Sequence, residues 1–167
     1  MKRLAFVAGV IVLCAFLSGC SGDNVDGLIL DTIQMLQSAT ENMRSVKAKV
    51  RDAVEKEKAG GKFELTEAVK AAGQLKTVSE DAVKIKQKIE KVRKQVSAED
   101  RKVLANKYKD DISGAFRELL KQRDELSKQI ADAKTAYHDK PAALEEISNL
   151  QKKLREAEGP FEAMARQ

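Results

Sequence analysis

The sequence predicts an all-α fold: an extended antiparallel bundle of three or four long helices with coiled-coil-like seams. Three observations predict it. Charged residues make up 34% of the chain and aromatics only 4%, with no Trp. That is the composition of long, charge-laced helices. Apolar residues recur at alternating spacings of three and four over most of the length, which is the period of one helical face. Only two prolines occur, Pro141 and Pro160, and no alternating apolar and polar run bounded by turn residues marks a strand.

The elements follow in order. Asp23 or Asn24, at the end of the polar stretch Ser21-Gly22-Asp23-Asn24, can cap a first helix by accepting backbone N–H groups of its first turn. Ile29, Leu36, Met43 and Val50 then repeat at sevens, with Thr32, Ala39, Val46 and Ala53 between them. Gly60-Gly61 should end this helix, because glycine enters the left-handed conformation of a C-terminal cap without a Cβ clash. A second helix should start near Phe63 to Thr66. Its seam is Ala68, Ala71, Leu75, Val78, Ala82, Ile85, Ile89, Val92 and Val96.

Ser97-Ala98-Glu99-Asp100 has the residues of an N-cap followed by first-turn acids, which predicts a break there. An unbroken helix to residue 137 is the alternative, since neither Gly nor Pro marks the point. The third helix carries Leu104, Tyr108, Ile112, Ala115, Phe116, Leu119, Leu120, Leu126, Ile130, Ala133 and Tyr137. This stripe is broader than a strict seam, which makes the third helix the expected central element. His138-Asp139-Lys140-Pro141 should turn the chain, with Pro141 at the first helical position. The fourth helix shows Ile147, Leu150, Leu154 and Ala157. Gly159-Pro160 should stop it, leaving Phe161 and Met164 in a short tail turn. Short connections favour antiparallel neighbours.

Before all this lies a segment of another kind. Lys2 and Arg3 precede an apolar run, Leu4 to Phe16, and Leu17-Ser18-Gly19-Cys20 closes it. As a helix the apolar run spans roughly 20 Å, short of the roughly 30 Å hydrocarbon core. A removable signal is therefore expected in place of a permanent span. The four closing residues resemble the lipobox of bacterial lipoproteins, a likeness that covers about the first 22 residues. The resemblance implies cleavage before Cys20 and acylation of its thiol and new amino group, so that membrane lipid is bound through Cys20. Ser21 in the next position implies export to the outer membrane, facing the periplasm. The expected domains are a signal peptide at 1–19, a lipidated tether at 20–24 and a helical bundle at 25–167. An ordinary secretory signal with an incidental cysteine is the simpler alternative. Each buried CH₂ contributes about 0.8 kcal/mol, so two or three acyl chains make attachment effectively permanent.

Cleavage would leave about 148 of the 167 residues, and loss of Lys2 and Arg3 would lower the net charge from +5 to +3. Cys14 would leave with the signal and Cys20 would be acylated, so neither a free thiol nor a disulfide is expected. His138 is the sole histidine. Its place in a turn beside Asp139 fits solvent better than an axial haem ligand opposite Met35 or Met43. No multi-His or Cys zinc set is present, nor a Gly-x-Ser-x-Gly elbow or phosphate loop. Asp110-Asp111 and Glu145-Glu146 are adjacent acids pointing about 100° apart on a helix. No catalytic residue, metal site or cofactor is expected, and no enzyme.

The densest basic run is Lys84 to Lys94. Lys84, Lys88 and Lys91 share one side of the helix and are candidate contacts for anionic surfaces. The simpler reading is a solvated face supported by Glu80–Lys84 and Glu90–Lys94 pairs at i,i+4. Export separates the chain from nucleic acid. The expected function is that of a non-catalytic, lipid-anchored cell-envelope protein, a helical binding or scaffolding module with an envelope protein partner. The alternatives are an assembly factor or chaperone-like lipoprotein for an envelope or secretion complex, and a non-covalent membrane-to-cell-wall tether. The wall-linked major lipoprotein ends in Lys, and this chain ends Ala165-Arg166-Gln167.

Overall fold

The structure, a computed structural model, describes residues 23–93 and 97–165. They form four helices: α1 (Asp23–Lys58), α2 (Thr66–Arg93), α3 (Ala98–Ala136) and α4 (Pro141–Ala165). The expected all-α bundle of long helices is present. At about 1.5 Å per residue, the 36 residues of α1 extend about 54 Å. The break between the second and third helices is present too, with α3 beginning directly after Ser97. Helix α1 starts at Asp23, inside the expected tether. No described helix is long and apolar enough to cross a membrane.

Successive helices reverse direction, but close packing follows a different order. Helix α1 packs along α2 and α3, α2 packs along α1 and α4, and α3 touches α4 only slightly. Among the described residues α2 and α3 do not meet, although they follow one another in the chain. Round the bundle the order is therefore α1, α2, α4, α3. Two of the close pairs are parallel. Arg44 reaches Glu118, Lys47 reaches Glu125, and Glu57 reaches Tyr137, so α1 and α3 ascend together. The Leu65 N–H donates to Glu146, and Glu156 feels the charge of Lys76, so α2 and α4 also run together.

One apolar cluster runs through the bundle from Ile29 to Ala157. All eight seam residues expected on α1 are buried, and Leu28, Met35 and Thr40 join them. The extra residues widen the stripe, as a helix with two long neighbours requires. On α2, Ala68, Ala71, Leu75, Ala82 and Ile85 are buried, while Val78 packs half-buried against the cluster. Ile89, Val92 and Val96 lie outside the described side chains, as does Leu104. The small residues Ala39, Val46, Ala68, Ala72 and Ala82 are at most 1% exposed, so the central α1–α2 pair is built from side chains that permit close approach.

Two expectations are corrected. The third helix is not the central element: α1 and α2 each pack along two neighbours, and α3 along α1 alone. Its extra apolar residues Tyr108, Ala115 and Leu120 are only half-buried flanks of a single seam. Gly159-Pro160 does not stop the fourth helix, which continues to Ala165. Proline removes one intrahelical hydrogen bond. The further clash of its ring with a preceding Cβ does not arise, because the preceding residue is glycine.

Gly60-Gly61 ends α1 as expected. Gly60 takes φ +87°, the Gly61 N–H donates to the Lys56 carbonyl and the Gly60 N–H to that of Glu57. This is the Schellman pattern, which satisfies carbonyls orphaned at the helix end. A Cβ on Gly61 would lie 2.9 Å from the Lys56 carbonyl oxygen, so the second glycine is needed for space. Pro141 opens α4 as expected, and the Lys140 carbonyl accepts the Leu144 N–H as the first turn of that helix.

Candidate functional site

Residues 1–22 lie outside the described residues, and Cys20 with them. The other sequence-derived candidates lie on the outer face of α2. Lys84, Lys88 and Lys91 are all exposed on one side of that helix. They do not form a uniform basic patch. The Lys84 ammonium donates to Asp81 at 2.7 Å, and this carboxylate, bonded and opposite in charge, holds the lysine pKa above its ordinary value, with a smaller contribution from Glu80. The expected Glu80–Lys84 pair is thus replaced by Asp81–Lys84 at i,i+3. The shorter aspartate one turn away meets the ammonium directly. Lys94, the partner expected for Glu90, lies outside the described residues. Lys88 and Lys91 meet no carboxylate among the described residues.

Sequence reasoning did not find the polar rail along α1 and α3. Arg44 donates to Glu118 at 2.7 Å, Lys47 donates to Glu125 at 2.5 Å and to Gln122 at 2.6 Å, and Gln122 donates to Glu118 at 2.9 Å. The guanidinium of Arg44 and the amide of Gln122 hold the Glu118 carboxyl below its ordinary value. The Lys47 ammonium does the same for Glu125. The only sequence signal was opposite charge at matching heptad positions, legible once α1 and α3 are known to be parallel neighbours.

A second cluster closes the end of the bundle where α1 hands over to α2. Phe63 and Tyr137 are both buried, with ring centroids 4.5 Å apart. Such a pair contributes about 0.5–1.5 kcal/mol beyond its buried area. The Tyr137 hydroxyl donates to Glu57 at 3.3 Å, and the Lys140 ammonium donates to the same carboxylate. Lys140 lowers the Glu57 pKa, whereas burial, then Glu57, raises that of Tyr137. The Leu65 N–H, at the start of α2, donates to Glu146 at 3.2 Å. Glu146 of the Glu145-Glu146 pair therefore has a cross-helix partner. His138 is exposed in the turn, its Nδ1 3.1 Å from the Thr135 carbonyl oxygen.

The grooves are shallow and mixed in charge. One runs between Phe63 and the outer face of α4, where Lys62, Lys152, Glu145 and Glu146 alternate. Both signs are present, and none of these side chains converges on a reacting position. Among the described residues no group of three His, Cys, Asp or Glu side chains comes close enough to hold a metal ion. The arrangement can hold helices together and present charged faces. The class it defines is a four-helix bundle with two parallel pairs. No family model, curated protein or solved structure matches the chain.

Proposed function

We propose that this chain is a non-catalytic, lipid-anchored protein of the cell envelope. It acts as a helical binding or scaffolding module held by acylated Cys20 in the outer membrane, facing the periplasm, with an envelope protein as partner. The observation that carries the reading is Leu17-Ser18-Gly19-Cys20 behind a basic and apolar segment too short to span a bilayer. The bundle is consistent with it. Its core runs from Ile29 to Ala157 with no cysteine in it, and its first helix begins three residues after Cys20. A module of this kind works by presenting helix faces, and no step of a reaction is assigned to any residue. Lys88 and Lys91, with Lys84 partly neutralised by Asp81, are a secondary contact for anionic headgroups.

Cys20→Ser tests the reading. The wild-type protein should fractionate with membranes and partition into detergent. The variant should accumulate at precursor size or be released as soluble protein. A variant that is processed and membrane-bound like the wild type would overturn the lipid anchor. Affinity purification of the lipidated protein from detergent-solubilised envelopes, followed by mass spectrometry, should recover an envelope protein.

A further inference from the structure

The edge between α1 and α3 changes chemistry along its length. In its distal part, Arg44 and Lys47 on α1 meet Glu118, Gln122 and Glu125 on α3. Two heptads toward the N-terminus, the positions of Arg44 and Lys47 are taken by Leu30 and Ile33, and that of Gln122 by Tyr108. Ile33 and Tyr108 are half-buried against the core. Leu30 is 50% exposed and Val103 66% exposed. The cross-helix pairs of α1 and α3 are 74 to 80 residues apart, which sets Leu30 level with residues 104–110 of α3, Tyr108 among them. Val103, at the heptad position of Arg117, lies beside this edge on the outer face of α3. Val83, in the middle part of α2 and away from this edge, is the remaining exposed large apolar side chain among the described residues. Isolated exposed apolar residues are ordinary on a protein surface, whereas several gathered at one place mark a contact.

The covering partner follows from where the chain goes next. Leu30 lies about 10 Å along α1 from Asp23, and Val103 about 8 Å along α3 from Ala98. Asp23 is three residue steps from Cys20, a reach of at most roughly 10 Å. An acyl anchor at Cys20 would therefore hold this apolar edge within reach of the bilayer, with the charged stretch of the same edge farther away. Lys107 lies 4.8 Å from the Tyr108 ring centroid, and Lys109 is exposed beside it. Aromatic rings flanked by lysines suit the headgroup layer, where an apolar body and a charged tip are both accommodated.

We propose that the edge formed by Leu30, Ile33 and Tyr108, with Val103 on the adjoining outer face of α3, rests on the lipid surface beside the anchor and sets the orientation of the bundle on the membrane. This rests on the reading of Cys20 as lipidated. Asp31, Asp110 and Asp111 are also exposed near this edge, so apolar burial supplies the contact and salt weakens it little.

The test uses the full lipidated protein reconstituted in vesicles of phosphatidylethanolamine and phosphatidylglycerol. Once Cys20 is acylated and Cys14 removed, a cysteine placed by Leu30→Cys, Val103→Cys or Ala131→Cys is the sole labelling site. Ala131 is exposed on the same side of α3 as Val103, four heptads farther on. Each variant carries an environment-sensitive fluorophore, and a nitroxide lipid in the bilayer serves as quencher. The labels at 30 and 103 should be quenched at least threefold more than the label at 131. Equal quenching at all three sites overturns the proposal. So does shielding at 30 and 103 that grows with protein concentration in detergent, because a second copy then covers the edge. The intact mass of the same sample separates the two readings. A lipid-bearing mass with water-exposed labels overturns the contact and leaves the anchor standing. A mass without lipid overturns both.

Discussion

Around Gly60 and Pro141, at one end of the bundle, buried Phe63, Leu65, Tyr137 and Ala143 meet beneath a Schellman cap, an aromatic pair and the Glu57–Tyr137–Lys140 cluster. At the opposite end, where α1 begins, α2 ends and α3 starts, the described side chains from Ser97 to Asp111 include none that is buried, and Leu30 and Val103 stand in solvent. Both ends belong to the same helices and share the same heptad repeat. The difference lies in what fills the repeat and what closes it. At the distal end, four segments converge and their backbone groups find partners, including the Leu65 N–H on Glu146. At the other end, the repeat continues on α1 through Leu28, Ile29, Thr32, Met35 and Leu36, while α3 offers apolar side chains outward. A periodic sequence guarantees a helix with an apolar face. It does not guarantee that the face is covered by the chain itself.

The largest expected effects sharpen this contrast directly. Leu75→Ala opens a cavity at a side chain that is 0% exposed and should cost about 2–5 kcal/mol. Leu30→Ala and Val103→Ala should change stability by less than about 0.5 kcal/mol. Thermal circular dichroism of the three variants decides it. Equal losses at all three sites would erase the distinction between the ends.

The next effect concerns the distal cap. Gly60→Ala forces a Cβ into a left-handed backbone at φ +87°, which costs roughly 1–2 kcal/mol. Gly61→Ala drives a Cβ against the Lys56 carbonyl. Both should lower the melting temperature by several degrees, and Gly73→Ala, where the added Cβ meets nothing within 4 Å, should not. A cap variant that melts like the wild type would show that the distal end does not depend on this turn.

A smaller effect follows from acid. The carboxyls of Glu57, Glu118 and Glu125 lie below the ordinary value of 4.5 because cations or amides bond to their charged forms. Their contribution to stability is therefore present above that value and is lost as pH falls through the lower folded values. These groups are on the surface and salt screens them, so the change is modest. Melting temperature should decline from pH 5 to pH 3, and Glu118→Gln should flatten the slope. An identical slope in the variant would remove the α1–α3 rail from the account of acid sensitivity.

The least disturbance to stability is expected at the face that sequence reasoning singled out. Replacing Lys84, Lys88 and Lys91 by Gln should leave the fold intact and reduce association of a lipid-free form with anionic vesicles at low salt. Association that survives unchanged would make this face a solvated surface and nothing more.

Much of the fold was legible because burial follows periodicity. The eight seam residues of α1 and the four of α4 from Ile147 to Ala157 are all buried, and the breaks at Gly60 and Ser97 fall where cap residues stand. The partners of each face were not legible. The width of the α3 stripe did not show that Ala115 and Leu120 are flanks, since an apolar residue reads the same on a seam and beside one. Parallel pairing of α1 with α3 depends on a diagonal connection that no local residue encodes, so the Arg44–Glu118 rail stayed hidden. The helix through Gly159-Pro160 was not legible because each residue alone reads as a helix stop, whereas the glycine removes the Cβ that the proline ring would otherwise meet.

What the asymmetry means depends on Cys20. The most direct test is the intact mass of the protein extracted from membranes, with its N-terminal residue identified. The account predicts a chain that begins at Cys20 and carries a thioether-linked diacylglycerol, with or without an N-acyl chain. A free thiol at residue 20, or a chain that begins anywhere else, would contradict it.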